Sequence, residues 1–145
     1  MVMGPVSCGK TTLCQYLAGL PRISVKTQTV ELIGNAIDTP GEYLENRSLR
    51  SRLLLSSVDA DLILFLQDGT NRNVYFSPGQ AAMFAPAVAG VITKTDITAA
   101  DGIRWAEAIL TLSGASPLFP VSAFSGEGMG SLTRFIFIRH SKEPV

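Results

Sequence analysis

The chain is expected to be an α/β protein on a doubly wound, mostly parallel sheet, and three observations carry that expectation. Apolar strand-like runs alternate with amphipathic stretches at intervals that suit strand–helix–strand units. The run Leu62-Ile63-Leu64-Phe65-Leu66 is apolar without interruption, as a strand covered on both faces requires. Gly4-Pro5-Val6-Ser7-Cys8-Gly9-Lys10-Thr11 sets a glycine-bracketed Lys-Thr loop between a strand stub and a helix. At 145 residues the chain has the length of one hydrophobic core, so a single domain over 1–145 is expected.

The elements follow in order. Val2-Met3 is the stub of a first strand, and a helix runs from about Lys10 to Ala18. Thr29 to Ile33 and Ala36 to Asp38 flank Gly34-Asn35, which suggests a tight hairpin with the only antiparallel pair. Leu44 to Val58 reads as a helix, Leu62 to Leu66 as a strand, and Asp68 to Pro86 as a long loop with at most a short helix. Val88 to Ile92 is the next strand. Asp101 to Ser113 is a helix, since Ile103, Ala106, Ile109 and Leu110 recur at helical period; Gly114 caps its end. Asp101 belongs to its N-cap or first turn, and Trp105 to its packing face. Leu118-Phe119 is a short strand and Met129 to Arg139 a last helix, although the alternation Phe135-Ile136-Phe137-Ile138 equally suits a strand.

Composition excludes several function classes. Twelve Lys and Arg balance twelve Asp and Glu, so there is no basic footprint for nucleic acid or an acidic membrane surface. No run has the length of a transmembrane span, and no signal-peptide layout precedes the loop at Gly4. Of the two cysteines, Cys8 lies inside that loop, where a disulfide would disrupt it; a reduced, cytoplasmic setting is expected. His140, the sole histidine, lies in a polar tail and is given no catalytic part.

The loop from Gly4 to Thr11 points to phosphate. Backbone N–H groups freed of bulk at Gly4 and Gly9 curl around a diphosphate, helped by the positive end of the helix that follows. Lys10 reaches the β- and γ-phosphates, the Thr11 hydroxyl takes a place on Mg²⁺, and Thr12 completes the nucleotide-contacting run. Three later segments point to guanine. Asp38-Thr39-Pro40-Gly41 puts a carboxylate on Mg²⁺ and the Gly41 amide toward the γ-phosphate. Thr93-Lys94-Thr95-Asp96 ends a strand; Asp96 can accept hydrogen bonds from guanine N1–H and its exocyclic amine, which adenine does not offer, while the Lys94 stem lies along the base. Thr93 stands where many GTPases carry Asn, removing one side-chain hydrogen bond. Val121-Ser122-Ala123 offers the Ala123 amide to guanine O6. All four motifs stand in the order found in GTPases, each after an apolar run.

Glu42 follows Gly41, where a water-orienting glutamine often sits. Its carboxylate can polarise water, but it brings negative charge to a triphosphate at a cost of several kcal/mol at about 4 Å. No arginine is placed to act as an internal finger: Arg47, Arg50 and Arg52 read as solvated or partner-facing. Intrinsic turnover of about 10⁻⁴–10⁻² s⁻¹ is therefore expected.

The stretches GPVSCGKTTL, VKTQTVE, IDTPGEYLENR, FSPG and VITKTDI resemble the EutP/PduV family of bacterial ethanolamine- and propanediol-utilisation proteins. The resemblance covers essentially the whole chain, fades after about Gly126, and is to the propanediol branch through Asp38 to Arg47 and Phe76 to Gly79. It implies a Ras-like P-loop GTPase fold with a shortened first switch and binding of GTP and GDP. It also implies association with bacterial microcompartments, through shell or enzyme proteins. Thr27 fits the family's KTQ pattern as the switch threonine on Mg²⁺, with Thr29 the alternative. Family members have more apolar residues before the phosphate loop than Met1-Val2-Met3, so either a few native residues precede Met1 or a weakened first strand is expected here. A nucleotide switch, a phosphotransferase acting on a small metabolite and a non-hydrolysing adaptor all remain compatible with these residues.

Overall fold

Four strands, all parallel, form the sheet seen in the computed structural model, which describes residues 1–4, 12–13, 16, 57 and 60–141, without the side chains of 137 and 139–141. They are β1 (Val2–Met3), β2 (Leu62–Asp68), β3 (Ala87–Thr93) and β4 (Leu118–Pro120), in that spatial order. The register pairs Val2 with Leu64, Ile63 with Val88, and Gly90 with Leu118. Parallel pairing of this kind needs crossovers that cover both sheet faces, and β2 accordingly has all seven residues buried. Val2 and Met3 are fully buried beside it, so the two-residue β1 sits inside the core.

β2 extends two residues beyond the predicted Leu66, because Gln67 and Asp68 are held as buried polar residues at its end. The stretch after it is a long loop with one short 3₁₀ turn, Gln80–Met83, as expected. Phe76 anchors that loop by stacking on Phe65 at 4.5 Å, and Phe84 meets Phe65 edge-on at 5.9 Å. The Gln80 side chain accepts the Ser77 N–H at 2.7 Å, closing the loop on itself.

Helix α1 (Ala100–Ser113) buries Ala106, Ile109 and Leu110, the apolar positions its period marks. It ends at Gly114 with φ 93°, whose N–H caps the carbonyls of Leu110 and Thr111. Asp101 lies in the first turn, accepting the Gly102 N–H at 3.0 Å and pairing with Arg72 at 2.9 Å. The Arg72 guanidinium also lies 5.9 Å from the Trp105 ring centroid, and Trp105 packs against the core edge. Helix α2 (Met129–Ser141) settles the ambiguity of the Phe-Ile alternation in favour of a helix. Met129, Leu132 and Ile136 are buried at helical spacing, and Phe135 meets Phe119 at 5.0 Å. His140 thus belongs to the backbone of α2 rather than to a tail.

Thr12, Leu13 and Tyr16 have helical backbone, within the helix expected after the phosphate loop, and Ser57 is helical and buried within the stretch Leu44 to Val58. The expected hairpin of Thr29 to Asp38 lies outside the described residues. No helix among the described residues is long and apolar enough to cross a membrane.

Candidate functional site

Parallel strands end on one side of a sheet, and the ends of β2, β3 and β4 deliver Asp68, Lys94 with Asp96, and Ser122 to a common edge. A cavity of about 330 Å³ opens there. Six of the residues expected to contact nucleotide line it: Thr12, Thr93, Lys94, Asp96, Ser122 and Ala123. Gly4, at the end of β1, is buried. Pro5, Val6, Ser7, Cys8, Gly9, Lys10, Thr11, Thr27, Asp38, Gly41 and Glu42 lie outside the described residues. Among the described residues no group of three or more His, Cys, Asp or Glu side chains could hold a metal ion.

The Thr93–Asp96 segment is shaped locally by Lys94, the one described non-glycine residue with positive φ (62°). This left-handed residue breaks β3 and starts the 3₁₀ turn Thr95–Ile97, which brings Asp96 round to the cavity. The Thr98 hydroxyl fixes the turn by donating to the Lys94 carbonyl at 2.5 Å. Backbone bonds from Thr95 N–H to Val121 O (3.2 Å) and from Val121 N–H to Ile92 O (2.8 Å) tie this motif to the loop after β4. The Ser122 hydroxyl then donates to Asp96 Oδ1 at 2.9 Å, so the two sequence-separated motifs meet side chain to side chain. That bond orients the carboxylate and leaves Oδ2 and a second lone pair on Oδ1 for a ligand.

The loop after β4 depends on Gly128. Its φ is 75°, and a Cβ there would stand 2.1 Å from the Pro120 carbonyl oxygen. The closeness of Pro120 to the start of α2 therefore requires glycine, and with it the placement of Val121 and Ser122.

Asp68 is a member of the site that reading the sequence missed. Its side chain is only 8 % exposed, and Oδ2 accepts the Lys94 Nζ at 2.8 Å. Its Oδ1 accepts the Thr70 N–H at 2.8 Å and the Thr70 hydroxyl at 2.6 Å. Burial alone would raise the Asp68 pKa; the hydrogen bonds from Lys94 and Thr70, with the Lys94 charge, outweigh it and hold the carboxyl below its usual range. Asp68 thereby holds Lys94, which lines the cavity, from the end of β2. The available signal was a carboxylate two residues after the apolar run Leu62 to Leu66, on the strand next to the one that Thr93 to Asp96 follows.

A carboxylate whose folded pKa is depressed stabilises the fold above its unfolded pKa of about 3.9 and loses that contribution as pH falls through the folded value. The stability advantage of the native chain over Asp68→Asn is therefore expected to be constant from pH 8 to 5 and to shrink below about pH 4. Urea titrations of both chains across that range check it; an advantage that grows on acidification contradicts it.

A family model described as ethanolamine utilisation – propanediol utilisation (PduV-EutP) matches residues 1–138. The chain is 38 % identical over 138 residues to the propanediol utilization protein PduV of Citrobacter freundii, covering 95 % of this chain and 91 % of that protein. It is 26 % identical over 136 residues to the probable acetate kinase EutP of Escherichia coli K12, covering 92 % and 86 %. Its fold is similar to translation elongation factor SelB from Methanococcus maripaludis in complex with the GTP analogue GppNHp, with a TM-score of 0.62 at 20 % identity. That likeness spans 99 % of this chain and 34 % of SelB.

Proposed function

The chain belongs to the PduV-EutP family of ethanolamine and propanediol utilisation proteins, and on that premise we propose that it is a single-domain P-loop protein that binds GTP and GDP and hydrolyses GTP slowly. The observation that carries the reading is the Ser122–Asp96 contact beside Lys94, in a cavity at the strand ends of a parallel sheet. A carboxylate oriented in this way accepts from guanine N1–H and the exocyclic amine, while adenine would leave it desolvated and unpaired. Ala123 offers its backbone amide to O6 from the same loop.

The phosphate side of the site falls to the loop from Gly4 to Thr12. Lys10 stabilises the charge that develops on the transferring phosphoryl group, and Glu42 orients the attacking water. Thr11, Thr27 and Asp38 would hold Mg²⁺, which neutralises phosphate charge when bound. In the cell the protein works in the cytoplasm against a shell or enzyme protein of a propanediol- or ethanolamine-utilisation microcompartment.

Replacing the phosphate-loop lysine by Lys10→Ala is expected to weaken Mg²⁺-dependent binding of a fluorescent GTP analogue at least 100-fold, with circular dichroism unchanged. Native-like affinity in a folded Lys10→Ala chain would sink the reading. A second reading has a specific observation behind it, the probable acetate kinase among the relatives at 26 % identity. It is phosphoryl transfer to a small carboxylate, and acetate-dependent release of an acyl phosphate from GTP or ATP would favour it over transfer to water.

A further inference from the structure

Asp68 is the only charged residue buried among those described, and reading the edge of a base gives it no task. Its two oxygens serve different elements. Oδ1 takes two bonds from Thr70, an exposed residue of the loop after β2, through its N–H at 2.8 Å and its hydroxyl at 2.6 Å. Oδ2 takes the Lys94 Nζ at 2.8 Å, and Lys94 lines the cavity that Asp96 and Ser122 share. The start of the loop is itself tied down. The Asn71 N–H donates to the Asp68 carbonyl at 3.1 Å, and the buried Gln67 donates Nε2–H to the Asn71 carbonyl at 3.2 Å. Thr70, Asp68 and Lys94 thus form one chain of contacts from the loop surface to the cavity.

A lysine gains much from such a hold. Its four-carbon stem has large rotamer freedom, and a ligand that must first order the stem binds more weakly. The Lys94 side chain is 36 % exposed, so its own surroundings confine it only in part. We infer that Asp68 is a positioning residue: anchored by Thr70, it fixes Lys94 before the nucleotide arrives and makes affinity depend on the loop after β2. The inference rests on the guanine-nucleotide reading, which lays the Lys94 stem along the base. Asp96 chooses the base, and Asp68 sets how tightly the chosen base is held. No covalent bond is made or broken in this step.

Asp68→Asn isolates the contact with Lys94. The asparagine carbonyl still accepts both Thr70 bonds, while its –NH₂ meets the Lys94 ammonium donor to donor and releases it. The change also removes a negative charge, which by itself favours an anionic ligand, so titrations are run at high salt to screen that effect. Lys94→Met keeps an unbranched stem and lacks the ammonium, so Asp68 has nothing to hold in that background. GDP is titrated into the full chain in four forms, native, Asp68→Asn, Lys94→Met and the double variant, each checked for folding by circular dichroism. Asp68→Asn is expected to weaken GDP binding about 5-fold in the native background and less than twofold in Lys94→Met. Thr70→Val, which alters no charge, is expected to weaken it about threefold. General damage to the fold would lower affinity in both backgrounds alike. Equal effects of Asp68→Asn in the two backgrounds, no effect in either, or a Thr70→Val chain with native affinity overturns the inference and leaves the guanine-nucleotide reading standing. A folded native chain that binds no GDP overturns both.

Discussion

Asp96→Asn is expected to cost the chain its guanine nucleotides and to give it xanthine nucleotides in their place. In the native chain the carboxylate accepts the Ser122 hydroxyl at 2.9 Å on Oδ1, which keeps that atom in its place as an acceptor. An asparagine held by the same bond keeps its carbonyl there and turns its amide –NH₂ to where Oδ2 was. Against guanine, that –NH₂ meets the exocyclic amine, donor to donor. Xanthine carries a carbonyl at the same position and completes the pair. Hydrogen bonds to a charged group contribute about 1.5–3 kcal/mol each, so losing one and creating a donor clash predicts a fall of roughly 100-fold or more in GDP affinity. Competition titrations with GDP and XDP on both chains check this, and an Asp96→Asn chain that keeps its preference for GDP over XDP would remove Asp96 from the base-reading role.

Gly128→Ala is expected to damage fold and site together. The new methyl carbon would stand 2.1 Å from the Pro120 carbonyl oxygen, at a φ of 75° that L side chains rarely adopt. Left-handed backbone alone costs about 1–2 kcal/mol for alanine, and the neighbour to be displaced is backbone. A loss of about 3 kcal/mol follows, or a fall in Tm of roughly 10 °C. Pro120 leads directly into Val121 and Ser122, so the shift also pulls Ser122 from Asp96, and GDP binding should weaken more than stability alone explains. Thermal melts with and without GDP measure both effects; a Gly128→Ala chain with native Tm would contradict the close approach.

These two residues mark what the sequence discloses. Asp96 is legible because its chemistry is local: a Lys-x-Asp run ending an apolar strand needs few spatial assumptions. The buried strands are legible for the same reason, since uninterrupted runs such as Leu62 to Leu66 and Val88 to Ile92 have no alternative burial. Gly128 and Asp68 are not legible. The need for glycine at 128 arises only when β4 and α2 come together, and the partner of Asp68, Lys94, is 26 residues away, just past the end of β3. The last helix was half hidden. Met129, Leu132 and Ile136 carry its helical period, but the alternation from Phe135 to Ile138 overlays a strand-like one. Pro5 to Thr11 of the phosphate loop, both switch candidates and Glu42 rest on the sequence and the family resemblance, since they lie outside the described residues.

The role proposed for Asp96 is to read guanine. Competition of unlabelled GDP and ADP for the native chain, loaded with a fluorescent GTP analogue in Mg²⁺, tests it most directly. Guanine reading by Asp96, oriented on the buried Ser122, predicts that ADP displaces the probe at least 1,000-fold less well than GDP. Equal displacement by ADP and GDP would contradict it and leave a P-loop protein without base choice.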